Sequence, residues 1–195
     1  MGLTQHTFNL ISKWGKPFKS KSMLELGDQI VYFGTKYGMY STPYFKKYHP
    51  DLSHVAIDIK PEKFAVQMDL REPFPNDMVD AFDIITNAGT TEHVTTQTGF
   101  WMAYKNIHDA CCVGGVMIHE NPKTGNWAGH GDHYVTTLFY EQLSDSMGYE
   151  IIELGEHPAM GNTKNGWNVF CVLKKVDDRP FVEFETFDKY DHHYE

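Results

Sequence analysis

The chain has 195 residues, 41% of them hydrophobic and 22% charged, enough for one domain with a continuous core. Its 26 acidic against 17 basic residues give a formal charge of −9, which argues against binding the phosphate backbone of nucleic acid as its main task. No apolar run approaches the roughly 20 residues of a membrane span, and Cys111, Cys112 and Cys171 make no disulfide framework.

The opening Met-Gly-Leu-Thr-Gln-His has no apolar signal core and places His6 where a myristoylation motif wants Ser or Thr. A soluble, reduced, cytoplasmic chain is therefore expected. Residues 1–21 carry Lys13, Lys16, Lys19 and Lys21 and no acid, and read as a basic N-terminal arm, either solvated or facing a substrate. Short β-branched runs then alternate with helix-length segments. The runs are Met23 to Leu26, Val55 to Ile59, Phe64 to Met68, Phe82 to Ile85, Val113 to Ile118, Glu150 to Leu154 and Val169 to Leu173. Several are apolar on both faces, as strands covered on both sides must be. Phe100, Ala103, Tyr104, Ile107 and Cys111 share one helical face, as do Val135, Leu138, Phe139, Leu143 and Met147, with Gly148 as a helix stop. The pattern predicts an α/β fold with a mostly parallel sheet. The Gly/Asn/Pro-rich loop 155–167 holds no helix, so the last two runs are expected as an antiparallel pair at the sheet edge. Residues 176–195 read as a solvated acidic C-terminal tail.

In such sheets ligands bind at the carboxyl ends of the strands. After the first run comes Glu25-Leu26-Gly27, a glycine that would let backbone approach a ligand. The second ends at Asp58, placed to accept hydrogen bonds from ribose hydroxyls, and the third at Asp69-Leu70. The fourth is followed by Asn87-Ala88-Gly89-Thr90-Thr91-Glu92-His93, and the fifth by His119-Glu120 and a loop holding Trp127, His130, Asp132 and His133.

These strand ends, in this order, resemble the class I S-adenosylmethionine-dependent methyltransferases over residues 22–175. Met23-Leu-Glu-Leu-Gly27 resembles the first motif, Ala56-Ile-Asp-Ile59 the ribose-binding acid, Met68-Asp-Leu70 the stretch near adenine, and Phe82 to Val94 the segment beside the methyl donor. Lys105 to Asp109, Gly114 to Glu120 and Gly129-His-Gly131 are similar to a branch of small, poorly characterised members. The resemblance implies a Rossmann-like doubly wound sheet of about seven strands, mostly parallel with an antiparallel edge strand. It implies S-adenosylmethionine as the cofactor. Glu25 and Gly27 would shape the loop around its methionine part, Asp58 would hold the ribose, and Asp69 and Leu70 would lie by the adenine. Asn87, Ala88 and Gly89 would line the floor under the sulfonium methyl. The glycine loop is sparse, and Asp58 lies 31 residues beyond Gly27, so the stretch Tyr32 to Tyr48 must form an insertion or a longer helix. The same sparse loop argues against a nicotinamide dehydrogenase, whose pyrophosphate turn is absent.

In-line methyl transfer needs alignment more than acid catalysis. A hydroxyl acceptor also gives up a proton, and His119, His130 and His133 are the candidate general bases. Glu92 and His93 are expected to cap a helix or border the donor, and Trp101, Trp127 and Trp167 to wall the acceptor or join the core. The size of the chain favours a small-molecule or sugar acceptor, with no nucleic acid and no membrane partner. No metal is expected. The alternatives are a non-catalytic protein that binds the donor or S-adenosylhomocysteine, and a metal-dependent hydrolase built on the His119/His130/His133 loop, where His130-Gly-Asp-His133 gathers N and O ligands.

Overall fold

Apolar residues at alternate strand positions build two cores, one on each face of a central sheet. The computed structural model describes residues 2–14, 22–31, 38–159 and 166–195. In chain order the elements are β1 (Gly2–Leu3), α1 (Gln5–Trp14), β2 (Ser22–Leu26), β3 (Ile30–Val31), β4 (Met39–Tyr40), α2 (Ser41–Tyr48), β5 (Ser53–Asp58) and β6 (Val66–Gln67). There follow β7 (Phe82–Ala88), α3 (Gln97–Ala110), β8 (Cys111–Pro122), β9 (His133–Val135), α4 (Thr137–Met147), β10 (Glu150–Pro158), β11 (Trp167–Lys174), α5 (Phe184–Phe187) and β12 (His192–Tyr194).

Seven strands pair in the order β10-β11-β8-β7-β2-β5-β6. The β6-β5-β2-β7-β8 ladder is parallel throughout. The expected antiparallel pair is present: β11 runs against both β8 and the edge strand β10, so the antiparallel strand lies one place in from the edge. The third run contributes only the two residues of β6, because Phe64 and Val66 are exposed and bury little area.

Strand parity decides what each end residue faces. On β2, Leu24 and Leu26 join the core under α3 and α4, while Met23 joins the one under α1 and α2. On β8, Met117 faces the first core and Val116 and Ile118 the second. Two threonine caps start the long helices: Thr96 Oγ1 accepts the Gly99 amide at 3.1 Å and Thr136 Oγ1 the Phe139 amide at 3.2 Å. Gly148, with φ 61°, ends α4 in the left-handed conformation, as its sequence position predicts.

Both termini depart from the expectation of solvated segments. Thr7, Leu10 and Ile11 of α1 are buried, and Lys13 meets Glu153 at 2.9 Å, so this part of the basic arm is docked; Lys16, Lys19 and Lys21 lie outside the described residues. In the acidic tail Phe181, Phe187 and Tyr190 are buried in the first core, and β12 pairs with β9. The aromatic residues outweigh the charge there, because the acids can stay at the surface while the rings are buried. Of the stretch Tyr32 to Tyr48, residues 32–37 lie outside the described residues, and the rest holds β4 and α2. No helix among the described residues is long and apolar enough to cross a membrane.

Burial holds the His119 imidazole down to about 3 and that of His133 down to about 4. An unfolded chain would protonate both near about 6.5, so stability falls as pH drops below that value, by about 1.4 kcal/mol per pH unit for each such histidine. His108 and His192 shift the same way, and only His130 and His157 are raised, which gives the opposite sign. Denaturant titrations at about pH 7 and about pH 5 are expected to show a clear net loss on acidification; equal stability would contradict these burials.

Candidate functional site

The parallel register brings the carboxyl ends of four strands to one edge: Leu26 lies beside both Ile57 and Asn87, and Ala88 beside Glu120. Two cavities open there. The first, about 410 Å³, is bordered by Ile57, Asp58 and Ile59 of the β5 end, Met68 to Arg71 after β6, and Thr90, His93, Val94 and Thr95 after β7. The second, about 160 Å³, is bordered by Gly2 and Thr4, by Ala88, Gly89 and Glu92, by Glu120 and Pro122, and by Trp127, His130, Ala159 and Asn168. The segment Ala88 to His93, which includes the 3-10 turn Thr91–His93, is the wall between them.

In the first cavity Asp58, Asp69 and Leu70, each named from its place at or after a strand end, come together. The Asp58 carboxylate accepts the Asp28 amide at 3.0 Å and the Lys60 amide at 2.7 Å, which fixes it at the lip. Asp69 is held by the Arg71 guanidinium, with Nε at 3.0 Å and Nη2 at 2.6 Å, and that pairing lowers its pKa. Ile57, Met68, Leu70 and Val94 supply an apolar shelf between the two acids.

Three predicted donor residues point elsewhere. Glu25 shares the parity of Met23, so its buried carboxylate faces α2, where the Ser41 hydroxyl donates to it and His54 Nε2 lies at 3.6 Å. Gly27 has φ 91°, which a side chain would resist, but its open face is filled by the chain itself: a Cβ there would meet Gln29 Nε2 at 2.5 Å and Thr90 Oγ1 at 2.9 Å. Gln29 Nε2 donates to the carbonyls of Leu26 and Ala88 and to Thr90 Oγ1, tying the ends of β2 and β7 together. Asn87 turns inward: its amide donates to Thr91 Oγ1 at 2.8 Å and approaches His119 Nδ1 at 3.2 Å, while its Oδ1 accepts the Thr91 amide. Ala88 and Gly89 border the second cavity.

Of the three candidate bases, the geometry brings one to a cavity. His119 has the parity of Met117 and is sealed under α3 and α4, stacked on Tyr104 with ring centroids 5.3 Å apart. His133 stacks on Phe100 at 4.1 Å and holds the Thr96 carbonyl at 3.2 Å from Nε2. His130 borders the second cavity, with Nε2 3.8 Å from Glu92 Oε1, and this carboxylate raises its pKa. His130 and His133 therefore do not form one ligand set, because β9 turns His133 into the core. Glu92 and His93 do not cap α3, whose cap is Thr96; His93 borders the first cavity instead. Trp127 walls the second cavity, whereas the Trp101 ring donates to the Val182 carbonyl at 2.8 Å and packs against the core, and the Trp167 carbonyl accepts from Trp127 at 3.0 Å.

Sequence reasoning missed the N-terminal contribution to the second cavity. Glu120 is 97% shielded, and Thr4, Thr7 and Asn168 donate to it while His6 Nδ1 and His157 Nε2 lie at 3.4 and 3.2 Å. Burial pushes its pKa up, but these donors more than offset that and hold the carboxyl well below the usual range. Nothing local to Glu120 signals this, since Thr4, His6 and Thr7 are more than a hundred residues away in sequence and Asn168 is 48 away.

No protein-family model matches the sequence, and no curated protein sequence does. Solved structures match the fold. A 1,6-didemethyltoxoflavin-N1-methyltransferase from Burkholderia thailandensis, solved with 1,6-didemethyltoxoflavin and S-adenosylhomocysteine, superimposes with a TM-score of 0.62 at 15% identity, covering 88% of this chain and 76% of the other. The N-methyltransferase NodS from Bradyrhizobium japonicum, solved with S-adenosylhomocysteine, gives 0.58 at 11% identity over 89% and 87%. A protein from Listeria monocytogenes described as a putative S-adenosylmethionine-dependent methyltransferase gives 0.60 at 13% identity over 88% and 98%. At these identities the likeness is one of fold: the chain has the Rossmann-like architecture of these methyltransferases.

The wall between the cavities depends on Asn121, whose amide donates to Thr91 Oγ1 at 3.1 Å and Glu92 Oε2 at 3.2 Å and whose Oδ1 accepts the Tyr140 hydroxyl at 2.8 Å. Replacing it by leucine leaves a buried carboxylate oxygen and two hydroxyls without these partners. Asn121→Leu is expected to cost about 3 kcal/mol or more in urea denaturation at unchanged m-value; a loss within about 0.5 kcal/mol would contradict the network.

Proposed function

We propose that the chain is an S-adenosylmethionine-dependent methyltransferase acting at an oxygen of a small molecule or sugar. The observation that carries this reading is the meeting of Asp58, Asp69 and Leu70 around one cavity that shares a wall with a second. The residues present suit the donor. The Asp58 carboxylate offers acceptor positions for two ribose hydroxyls, and the apolar shelf of Ile57, Met68, Leu70 and Val94 suits a purine bordered by Asp69.

When bound, the donor supplies a methyl group on a sulfonium: its carbon–sulfur bond breaks as the bond to the acceptor forms, and the electron pair stays on sulfur. The chain's own part is alignment and exclusion of water, which together can contribute several kcal/mol. The segment from Ala88 to His93 borders both cavities, so donor and acceptor meet along it, and His130, alone of the three histidines at the second cavity, acts on the acceptor hydroxyl. The second cavity is small and carries Glu92 and Glu120, which favours a hydroxylated, uncharged or cationic acceptor over a macromolecular anion.

Calorimetric titration with S-adenosylhomocysteine, S-adenosylmethionine and NAD tests this. Micromolar binding of the first two and none of NAD is expected, with Asp58→Asn weakening it about tenfold or more, since hydrogen bonds to a charged group contribute about 1.5–3 kcal/mol each. No binding to the folded chain would overturn the reading. On an acceptor found by screening for transfer of labelled methyl, His130→Ala is expected to lower kcat about 100-fold or more with homocysteine-product affinity unchanged; unaltered kcat would remove His130 from the mechanism.

A further inference from the structure

We propose that Glu92, His93 and His130 bind a divalent transition-metal ion in the wall between the two cavities, and that this ion holds the acceptor through two neighbouring oxygens. For its substrate the inference rests on the methyltransferase reading; the ion site stands on geometry alone. Nε2 of His93 and Nε2 of His130 each lie 3.8 Å from the same oxygen, Glu92 Oε1. That is too long for a hydrogen bond, and the three ligand atoms lie within 4.8 Å of one another. Ligand bonds of about 2.0–2.1 Å set tetrahedral ligand separations of about 3.3 Å, so each histidine needs to approach Glu92 by about half an ångström and the two imidazole nitrogens to close by at most about 1.5 Å.

The carboxylate is prepared for the role. Glu92 is 2% exposed, and its other oxygen already accepts the Asn121 amide at 3.2 Å, the kind of outer contact that orients a ligating carboxylate. Its backbone carbonyl accepts the Asp132 amide at 2.7 Å, and a Cβ on Gly131 would stand 2.7 Å from that same oxygen. The glycine therefore lets the His130 loop press directly against Glu92. The ring centroids of His93 and His130 are 5.0 Å apart and inclined at 59°, whereas those of His6 and His157 stack at 4.0 Å. In that second cluster each imidazole meets a different oxygen of Glu120, and hydroxyl and amide donors already occupy both, so it reads as a satisfied carboxylate.

Two imidazoles and one carboxylate suit Zn²⁺, Co²⁺, Fe²⁺ or Mn²⁺ better than Mg²⁺ or Ca²⁺, and three protein ligands leave coordination positions for substrate. Since Glu92 and His130 border the second cavity and His93 the first, those positions fall where donor and acceptor meet. The acceptor class is then a vicinal diol or a catechol, gripped by both oxygens. With its Nε2 on the ion, His130 acts on the acceptor through the ion and not as a base: the ion lowers the proton affinity of the bound hydroxyl, the proton passes to solvent, and the oxygen's freed pair forms the bond to the methyl carbon as the carbon–sulfur bond breaks.

The test uses the full chain, stripped with a chelator, desalted and titrated with Co²⁺ and then Zn²⁺. One ion per chain is expected, with visible Co²⁺ absorption of a four- or five-coordinate site that Zn²⁺ displaces. Glu92→Gln and His93→Ala are each expected to weaken binding by more than about tenfold, while His157→Ala leaves it unchanged. His93 is 37% exposed, so its replacement spares the fold, which circular dichroism checks. No ion bound by the folded chain, binding indifferent to both substitutions, or binding lost only in His157→Ala would each overturn the inference. S-adenosylhomocysteine titrated in parallel separates the two ideas: product binding without ion binding overturns the ion site alone, and ion binding without product binding overturns the substrate class together with the methyltransferase reading.

Discussion

Everything at the rim hangs on how the turn after β7 is held. Thr91 is gripped twice by Asn87, through its amide and through its hydroxyl, and Asn121 reaches from β8 to the same hydroxyl and to Glu92. Tyr140 of α4 closes the network from beneath, and Tyr104 of α3 lies 3.2 Å from its hydroxyl. These are buried polar groups, costly if unpaired, so the network defines one position for the turn. Glu92 and His93 inherit that position, and with it the division of the rim into two cavities.

The sheet itself was legible because burial on both faces leaves near-continuous apolar runs, and six of the seven runs became strands of three or more residues. Asp58, Asp69 and Leu70 were legible for the same reason: they follow strand ends, and parallel register puts strand ends at one edge. Parity would have sorted more of the site than was drawn from it. Glu25 shares a face with Met23, and His119 with Met117, so each is committed to a core, while Glu120 shares the face of Val116 and Ile118, where Thr4, His6 and Thr7 meet it. A strand-end residue is one step from a ligand or from a core, and alternation decides which.

What could not be read locally came from chain segments that return from far away. Thr4 and His6 reach Glu120 only because α1 docks on β8. The tail reaches the His130 loop in the same manner: Glu195 Oε2 accepts the Gly129 amide at 3.1 Å, and its own amide donates to the Asp132 carbonyl at 2.9 Å. Charge counts made both termini look solvated, yet buried rings and aliphatic side chains in each outweigh the exposed charges. The second cavity thus depends on the two least legible segments, and the first on the most legible strands.

The central claim is that a nucleoside donor occupies the cavity of Asp58 and reaches the turn Thr91–His93 from that side. Backbone amide chemical shifts of the isotopically labelled chain, followed as S-adenosylhomocysteine is added, address it most directly. The expected result is a set of saturable shifts centred on Asp58, Leu70, Thr90 and His93, with the groove between α1 and α2 around Phe8 and Leu52 unmoved. Saturable shifts centred on that groove, or no shifts at high product concentration, would contradict the account.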